Sequence, residues 1–252
     1  FMITVVLNGF KRAHTLEEQY EAIQNQTVDD IEVLFWGNVV GDDAPDFPGK
    51  IISKCTSAIA NKNLGTWGRF AFALHAKRKY VCVMDDDTIP GTKWFENCLN
   101  TMETHRGVLS TRGCIMTEAD NMYPFEGSYE AVGWGDPNPE PVRVDMGCHC
   151  WFFEKEWLRA YWAEMPPELP MNFGEDTHIS FATKKHFGLH TYVPPHPVDD
   201  QEMWGSKPET GFKYGEDGNS ISESPGGCQR MNSYWNYVRQ QGYKTIWEEQ
   251  NG

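Results

Sequence analysis

The 252-residue chain is short of positive charge: 22 lysines and arginines stand against 36 aspartates and glutamates, a formal net charge of -14. That balance disfavours long-range attraction to nucleic acid or anionic lipid, although it is compatible with a local basic cleft. Long apolar runs are missing too. No segment approaches the roughly 20 consecutive apolar residues of a membrane helix, and the N-terminus shows no charged leader followed by an apolar stretch. A soluble, cytoplasmic chain with no signal peptide and no membrane span is therefore expected. The seven cysteines are odd in number and scattered, which excludes the disulfide framework of a small secreted domain. Cys148-His149-Cys150 has no second cysteine pair to complete a tetrahedral zinc site, so these two cysteines are expected in the core. Internal repeats are lacking. With 40% hydrophobic residues, the chain has enough apolar material for one large domain.

What is present reads as alternating strands and helices. Ile3 to Leu7 forms a short apolar run ending at Asn8-Gly9, and Ile31 to Trp36 a second. Between them Thr15-Leu16-Glu17-Glu18 matches a capping box, with Leu16, Tyr20 and Ile23 at helical spacing behind it. This order makes a βαβ unit with a parallel pair of strands. A helix from about Thr66 is expected to bury Trp67, Phe70, Ala71 and Leu74, and another runs from about Trp94 to His105. After Val108–Thr111 comes a Gly/Pro-rich stretch, 117–141, carrying Tyr123, Phe125, Tyr129 and Trp134. Loops of that length are usually functional or disordered, and the embedded aromatics favour an ordered surface that contacts a ligand. Strand character returns over Val142–Phe153, then a helix with Trp157 and Tyr161, a helix beginning at Glu175-Asp176, and a strand over Leu189–Val193. Residues 199–228 read as a long polar flap, with Trp204 as an exposed lid residue, before a last helix near Gln229–Gln241.

The most informative segment is Tyr80-Val81-Cys82-Val83-Met84 followed by Asp85, Asp86 and Asp87. A continuous apolar run of this kind is a buried strand of a mostly parallel sheet. Its carboxyl end borders the crevice where open α/β sheets bind ligands. Three adjacent carboxylates repel one another there, and a hard divalent cation, Mg²⁺ or Mn²⁺, would relieve the repulsion. An acidic turn capping the next helix, with Thr92 at the N-cap, is the alternative.

The order Asn8-Gly9, Asn63-Leu64-Gly65 with Arg69, the triple aspartate, Gly174-Glu175-Asp176 and His196 resembles the GT-A nucleotide-sugar glycosyltransferases, especially the family 2-like group. Met171-Asn172-Phe173 and the Gly-Glu-Asp block after it also look like the exostosin-type C-terminal domain. The resemblance implies a GT-A (Rossmann-like) α/β fold: a mostly parallel central sheet flanked by helices, a small additional antiparallel sheet and a long C-terminal flap. It divides the chain into a domain over 2–198, with a nucleotide-sugar half at about 2–112 and an acceptor half at about 113–198, and a C-terminal loop and helix over 199–252 packing on it.

By resemblance, Asp87 contacts a Mn²⁺ or Mg²⁺ ion, Asp85 lies near the ribose or a metal-bound water, and His196 is a third ligand or else a surface histidine in a proline turn. Asn8, Arg12, Asn63, Arg69, Asp85 and Asp86 are the expected donor-binding residues, with Lys11 as a further candidate for the diphosphate. Asp176, or alternatively Glu175, would take the proton of an attacking hydroxyl; a helix-dipole role for both is the other possibility. The implied partners are a nucleoside-diphosphate sugar, UDP-sugars favoured, and a glycan or other hydroxyl acceptor; the acidic balance speaks against a nucleic-acid acceptor. A sugar nucleotidyltransferase fits less well, because Asn8-Gly9-Phe10-Lys11-Arg12 has only one glycine. A non-catalytic carbohydrate-binding or assembly protein on the same fold is the third reading.

Overall fold

Val5, Val6, Val81 and Val83 are all fully buried, and they place β1 (Ile3–Gly9) and β4 (Tyr80–Met84) side by side at the centre of the molecule, parallel and in register from Ile3 opposite Tyr80. The protein is described by a computed structural model covering residues 3–39, 46–119, 122–123, 128–166, 172–215, 220–221 and 224–252. Phe125 and Met171, both singled out in the sequence, lie outside the described residues. A parallel block β3-β2-β1-β4, where β2 is Ile31–Asn38 and β3 is Thr56–Ala60, forms one half of the sheet. The other half continues through β8 (Met146–Glu154), β5 (Val108–Met116), β9 (Thr191–Val193) and β7 (Val142–Val144), with β6 (Tyr129–Gly133) paired to β5.

The expected architecture, a central sheet flanked by helices, is what forms, but the antiparallel strands do not make a second small sheet. They extend the same nine-stranded sheet, β8 pairing antiparallel with β4 and with β5. The single strand expected over Val142–Phe153 is two strands, broken at Asp145. The carboxylate of that buried aspartate accepts hydrogen bonds from the backbone N–H groups of Met116 and Ile246 at 2.8 and 2.7 Å, which turns the chain out of one register and into another. β3 and the short helix α2 (Gly49–Ile52) have no counterpart in the sequence reading, β3 because an edge strand with exposed residues lacks the apolar run that marked the others.

The helices follow the expected apolar spacing with local departures. α1 (Leu16–Gln24) buries Leu16 and Ile23, but Thr15 caps nothing: its hydroxyl lies 2.8 and 2.6 Å from the carbonyl oxygens of Arg12 and Asp86. A capping box does form at Thr245 and Glu248, at the start of α9 (Ile246–Asn251). α3 (Trp67–Phe72) gives way to a 3-10 turn over Ala73–His75, which rotates Leu74 outward to 51% exposure. α4 (Trp94–Thr104), α5 (Leu158–Ala163) and α6 (Glu175–Phe187) complete the flanking set.

The expected flap, of which 216–219 and 222–223 lie outside the described residues, contains regular structure. It carries a 3-10 turn at Gln201–Met203 and α7 (Pro208–Gly215). Trp204 is buried, not exposed, and its indole N–H donates to Pro197 O at 2.8 Å. α8 (Gly227–Gln240) sends Tyr234, Trp235 and Val238 into the main core. Among the described residues, no helix is long and apolar enough to cross a membrane.

Gly174, the residue before α6, sits in the left-handed region at φ 81°, and a β-carbon there would come within 2.5 Å of the Tyr234 ring. Gly174→Ala combines backbone strain with this overlap. It should lower stability by about 1–3 kcal/mol in a denaturant titration.

Candidate active site

The three aspartates follow β4 directly, so the parallel register delivers them to the carboxyl edge of the sheet beside the end of β1. Their loop is held from behind by α1. Gln19, fully buried, donates through Nε2 to Asp85 O at 2.6 Å and Thr88 O at 2.9 Å, while the Thr15 hydroxyl reaches Asp86 O. The helix read from its apolar residues thus presents a polar edge whose work is to fix the acidic loop.

Each aspartate has a different environment. Asp86 is buried and receives Arg12 Nη1 at 2.7 Å, and Arg12, itself buried, also lies 3.4 Å from Asp87. Burial pushes the Asp86 carboxyl up to about 6; Arg12 pulls it back only in part, and the neighbouring Asp87 and Asp85 add to the rise. Burial likewise raises Asp87, with Asp85 reinforcing the effect. Asp85 is gripped from the other side by Arg69, whose second terminal nitrogen donates to Glu175 Oε1 at 2.8 Å. Arg69 is 2% exposed.

The third member of the cluster is His149 on β8. Its Nδ1 lies 3.7 Å from Asp85 Oδ2 and 4.0 Å from Asp87 Oδ1, and one donor atom from each of the three residues falls within 4.8 Å of the others. His149 reaches this position through a β-bulge. Two steps along β5, Ser110 to Arg112, match three along β8, Trp151 to Cys148. His149 itself takes φ 67°, an uncommon conformation for a residue with a β-carbon. Ser110 Oγ secures the bulge, 2.8 and 2.6 Å from the carbonyl oxygens of Cys148 and Cys150. Gly147 admits that hydroxyl, since a β-carbon there would meet Ser110 Cβ at 2.3 Å.

His196 does not join the cluster. It is fully buried between Trp94 and Trp204, its Nδ1 bonds to Pro194 O at 2.8 Å, and its Nε2 faces Thr111 Oγ1 at 3.2 Å and the Gly205 N–H at 3.3 Å. With both ring nitrogens engaged and burial pushing its pKa down to about 4, it serves the packing of the C-terminal segment. Its expected place beside the aspartates is taken by His149, which the sequence concealed between two core cysteines.

These residues floor a cavity of about 550 Å³. Asn8, Asn63, Arg12, Arg69, Asp85, Asp86, Asp87 and Glu175 all line it, as do Thr66, Trp134, His149 and Arg230. Asn63 Oδ1 accepts Gly65 N–H at 2.8 Å, shaping the turn after β3. Trp134 stands with its ring 5.4 Å from that of His149. Glu175, besides Arg69, accepts the Thr66 hydroxyl at 2.5 Å. Asp176 is 8% exposed and sits behind Glu175 at the start of α6; burial, then the charge of Glu175, raises its carboxyl to about 7. A larger cleft of about 810 Å³ lies at the far end of β4, among Lys77, Arg78, Lys79 and Lys155, away from every acidic residue just described.

A buried strand ending in carboxylates over a cavity that Glu175, at the start of a helix, also lines, with Asp176 next to it in sequence but not among the lining residues, is the arrangement of a GT-A glycosyltransferase fold. Residues 3–162 match the profile described as Glycosyl transferase family 2. The chain belongs to that family and is a glycosyltransferase domain. The family match ends before Gly174-Glu175-Asp176 and leaves the exostosin-type likeness without confirmation. A comparison with curated proteins by sequence gives no match. Among solved structures, S. aureus TarS superposes with TM-score 0.51 at 14% identity, over 77% of this chain and 37% of TarS. TarS 1-349 in complex with UDP gives TM-score 0.53 at 15% identity over 78% and 59% of the two chains. The complex of TarS 1-349 with UDP-GlcNAc gives 0.50 at 15% over 94% and 72%. At these identities the likeness establishes the fold, and the chain spans 37% of the length of TarS.

The Arg12–Asp86 pair is buried on both sides, at 8% and 9% side-chain exposure. Arg12→Met should therefore cost about 3–5 kcal/mol, because it strands a buried carboxylate. The double variant Arg12→Met/Asp86→Asn should recover most of that loss. Denaturation midpoints of the two variants and the parent chain measure both effects.

Proposed function

We propose that the chain is a metal-dependent glycosyltransferase that moves a sugar from a nucleoside-diphosphate sugar, in the first instance a UDP-sugar, to a hydroxyl group of a glycan or another acceptor. The observation that carries this reading is the convergence of Asp85, Asp87 and His149 in the cavity floor. The fold neighbour TarS, solved with UDP and with UDP-GlcNAc, supports the choice of donor.

The donor set fits a cation. Two carboxylates and an imidazole form a mixed oxygen and nitrogen site, and the acidic residues around it outnumber the arginines that neutralise them. Oxygen ligands suit Mg²⁺ and Mn²⁺, and the imidazole tilts the choice towards Mn²⁺. Asp85, Asp87 and His149 would hold the ion, which when bound would supply positive charge beside the diphosphate. Asp86 serves the site from behind, tying Arg12 into the loop.

In the proposed reaction an acceptor oxygen attacks C1 of the sugar and gives its proton to Asp176. The C1–O bond to the diphosphate breaks, and its electron pair leaves on the phosphate oxygen. This single displacement inverts the anomeric centre. Asp176 suits the role of base because its raised pKa of about 7 balances availability against basicity near neutral pH. Glu175, held by Arg69 and Thr66, orients the start of α6 and with it Asp176.

Release of nucleotide from UDP-, GDP- and CMP-sugars, with and without Mn²⁺, tests the reading without a known acceptor. Metal-dependent release from one donor is expected, and Asp87→Ala should abolish it. If no donor is turned over and no nucleotide binds, the transferase reading fails. Once an acceptor is found, Asp176→Asn should slow transfer by about 10²–10⁴-fold. The parent enzyme's kcat/KM should climb with pH through about 7 as Asp176 loses its proton; a flat profile over roughly pH 5.5–8.5 would count against Asp176 as the base.

A further inference from the structure

A diphosphate entering this cavity needs cations, and the two arginines nearest the aspartates are already committed. Arg12 is engaged by Asp86 and Asp87, and Arg69 by Asp85 and Glu175. Among the described lining residues, the remaining lysine and arginine are Lys11, just beyond β1, and Arg230 in the first turn of α8. Among the described residues, neither makes an ion pair with a carboxylate. The Lys11 ammonium lies over the Phe10 ring at 5.5 Å. Among the described residues, Arg230 donates to neutral oxygens, Pro225 O at 2.9 Å and Ser224 Oγ at 3.0 Å.

The placement of Arg230 is unfavourable for its own helix. A cation in the first turn opposes the positive end of the helix dipole, and the first turn of α8 carries no acidic residue to offset it. The helix is nevertheless locked in position. One turn on, and so on the same face, Tyr234 donates its hydroxyl to His178 Nδ1 on α6, whose Nε2–H donates in turn to Tyr161 O at 2.7 Å. The Tyr234 ring also fills the space beside Gly174. Arg230 is thereby held at the cavity wall, in the same packing that sets Glu175 and Asp176.

We infer that Arg230, assisted by Lys11, binds the diphosphate of the donor and neutralises it as it departs. The inference rests on the transferase reading and adds to it a cation delivered by the C-terminal segment. A guanidinium whose partners among the described residues are neutral can turn both terminal nitrogens to phosphate oxygens, which Arg12 and Arg69 cannot do without abandoning carboxylates. The ligand favours this position as well, since phosphate charge answers both the guanidinium and the helix N-terminus behind it.

The experiment compares UDP and uridine, and GDP and guanosine, binding to the full chain in the presence of Mn²⁺, for the parent, Arg230→Gln, Arg230→Lys and Lys11→Gln proteins. Arg230→Gln should weaken the diphosphate by about tenfold and leave the nucleoside unchanged. Arg230→Lys should restore part of the loss, and Lys11→Gln should weaken the diphosphate by a smaller factor. The thermal midpoint of Arg230→Gln should match that of the parent. Unchanged diphosphate affinity in Arg230→Gln overturns the inference, as does equal weakening of nucleoside and diphosphate, which would signal a displaced helix. If the parent itself binds no nucleotide, the transferase reading falls and this inference with it; if the parent binds and Arg230→Gln is unaffected, this inference alone falls.

Discussion

The guanidinium of Arg69, almost wholly buried, lies between Asp85 at the end of β4 and Glu175 at the start of α6. Those two carboxylates come from segments far apart in sequence and both line the cavity, so one cation sets the spacing of both. Its planar fork suits the task, since two terminal nitrogens can serve two carboxylates at once. A lysine would supply the charge without the fixed geometry. The guanidinium also lies over the Trp151 ring at 4.9 Å, which ties it to β8, the strand that carries His149. Asp85, Glu175 and His149 are thus referred to a single rigid group.

Around this point the protein gathers more negative charge than it neutralises. Asp86, Asp87 and Asp176 all have carboxyls raised by burial and by neighbouring carboxylates, so the acidic groups repel one another. The repulsion is withstood because the backbone around it is held at several points. Gln19 and Thr15 fix the acidic loop through its carbonyl oxygens, and Ser110 fixes the β8 bulge in the same manner. Hydrogen bonds to backbone carbonyls hold the loop without neutralising its carboxylates. On the proposed reading, the uncompensated charge is what a divalent ion and a diphosphate with its cations would complete.

How much of this was legible in the sequence depended on the range of the interaction. The β4 run with its aspartates, the βαβ opening and the helix at Glu175-Asp176 are local patterns, and each formed where its periodicity and terminal residues placed it. Contacts that depend on strand register were not legible. His149 meets Asp85 and Asp87 because β8 runs antiparallel to β4 and carries one extra residue, and nothing in Cys148-His149-Cys150 announces a bulge. His196 misled for the opposite reason. A histidine among prolines reads as exposed, whereas Trp94 and Trp204, distant in sequence, bury it. Thr15 matched a capping pattern but spent its hydroxyl on Asp86, a partner 71 residues away.

The family match, residues 3–162, covers β1 to β8 and therefore Asp85–Asp87, Arg69 and His149. It stops before the other wall. Asn172, Glu175, Gly211, Ser220 and Arg230 all line the cavity from beyond it. That wall is nonetheless built into the main core: Tyr234 reaches His178, Trp235 and Val238 pack with the central cluster, and Gly211 of α7 lies against the Trp134 ring. The family part carries the acidic floor and the segment after it closes the space above. The cavity is therefore completed only when residues from both parts of the chain come together, Asn8, Asn63 and Trp134 from within the family match and Asn172, Glu175 and Arg230 from beyond it.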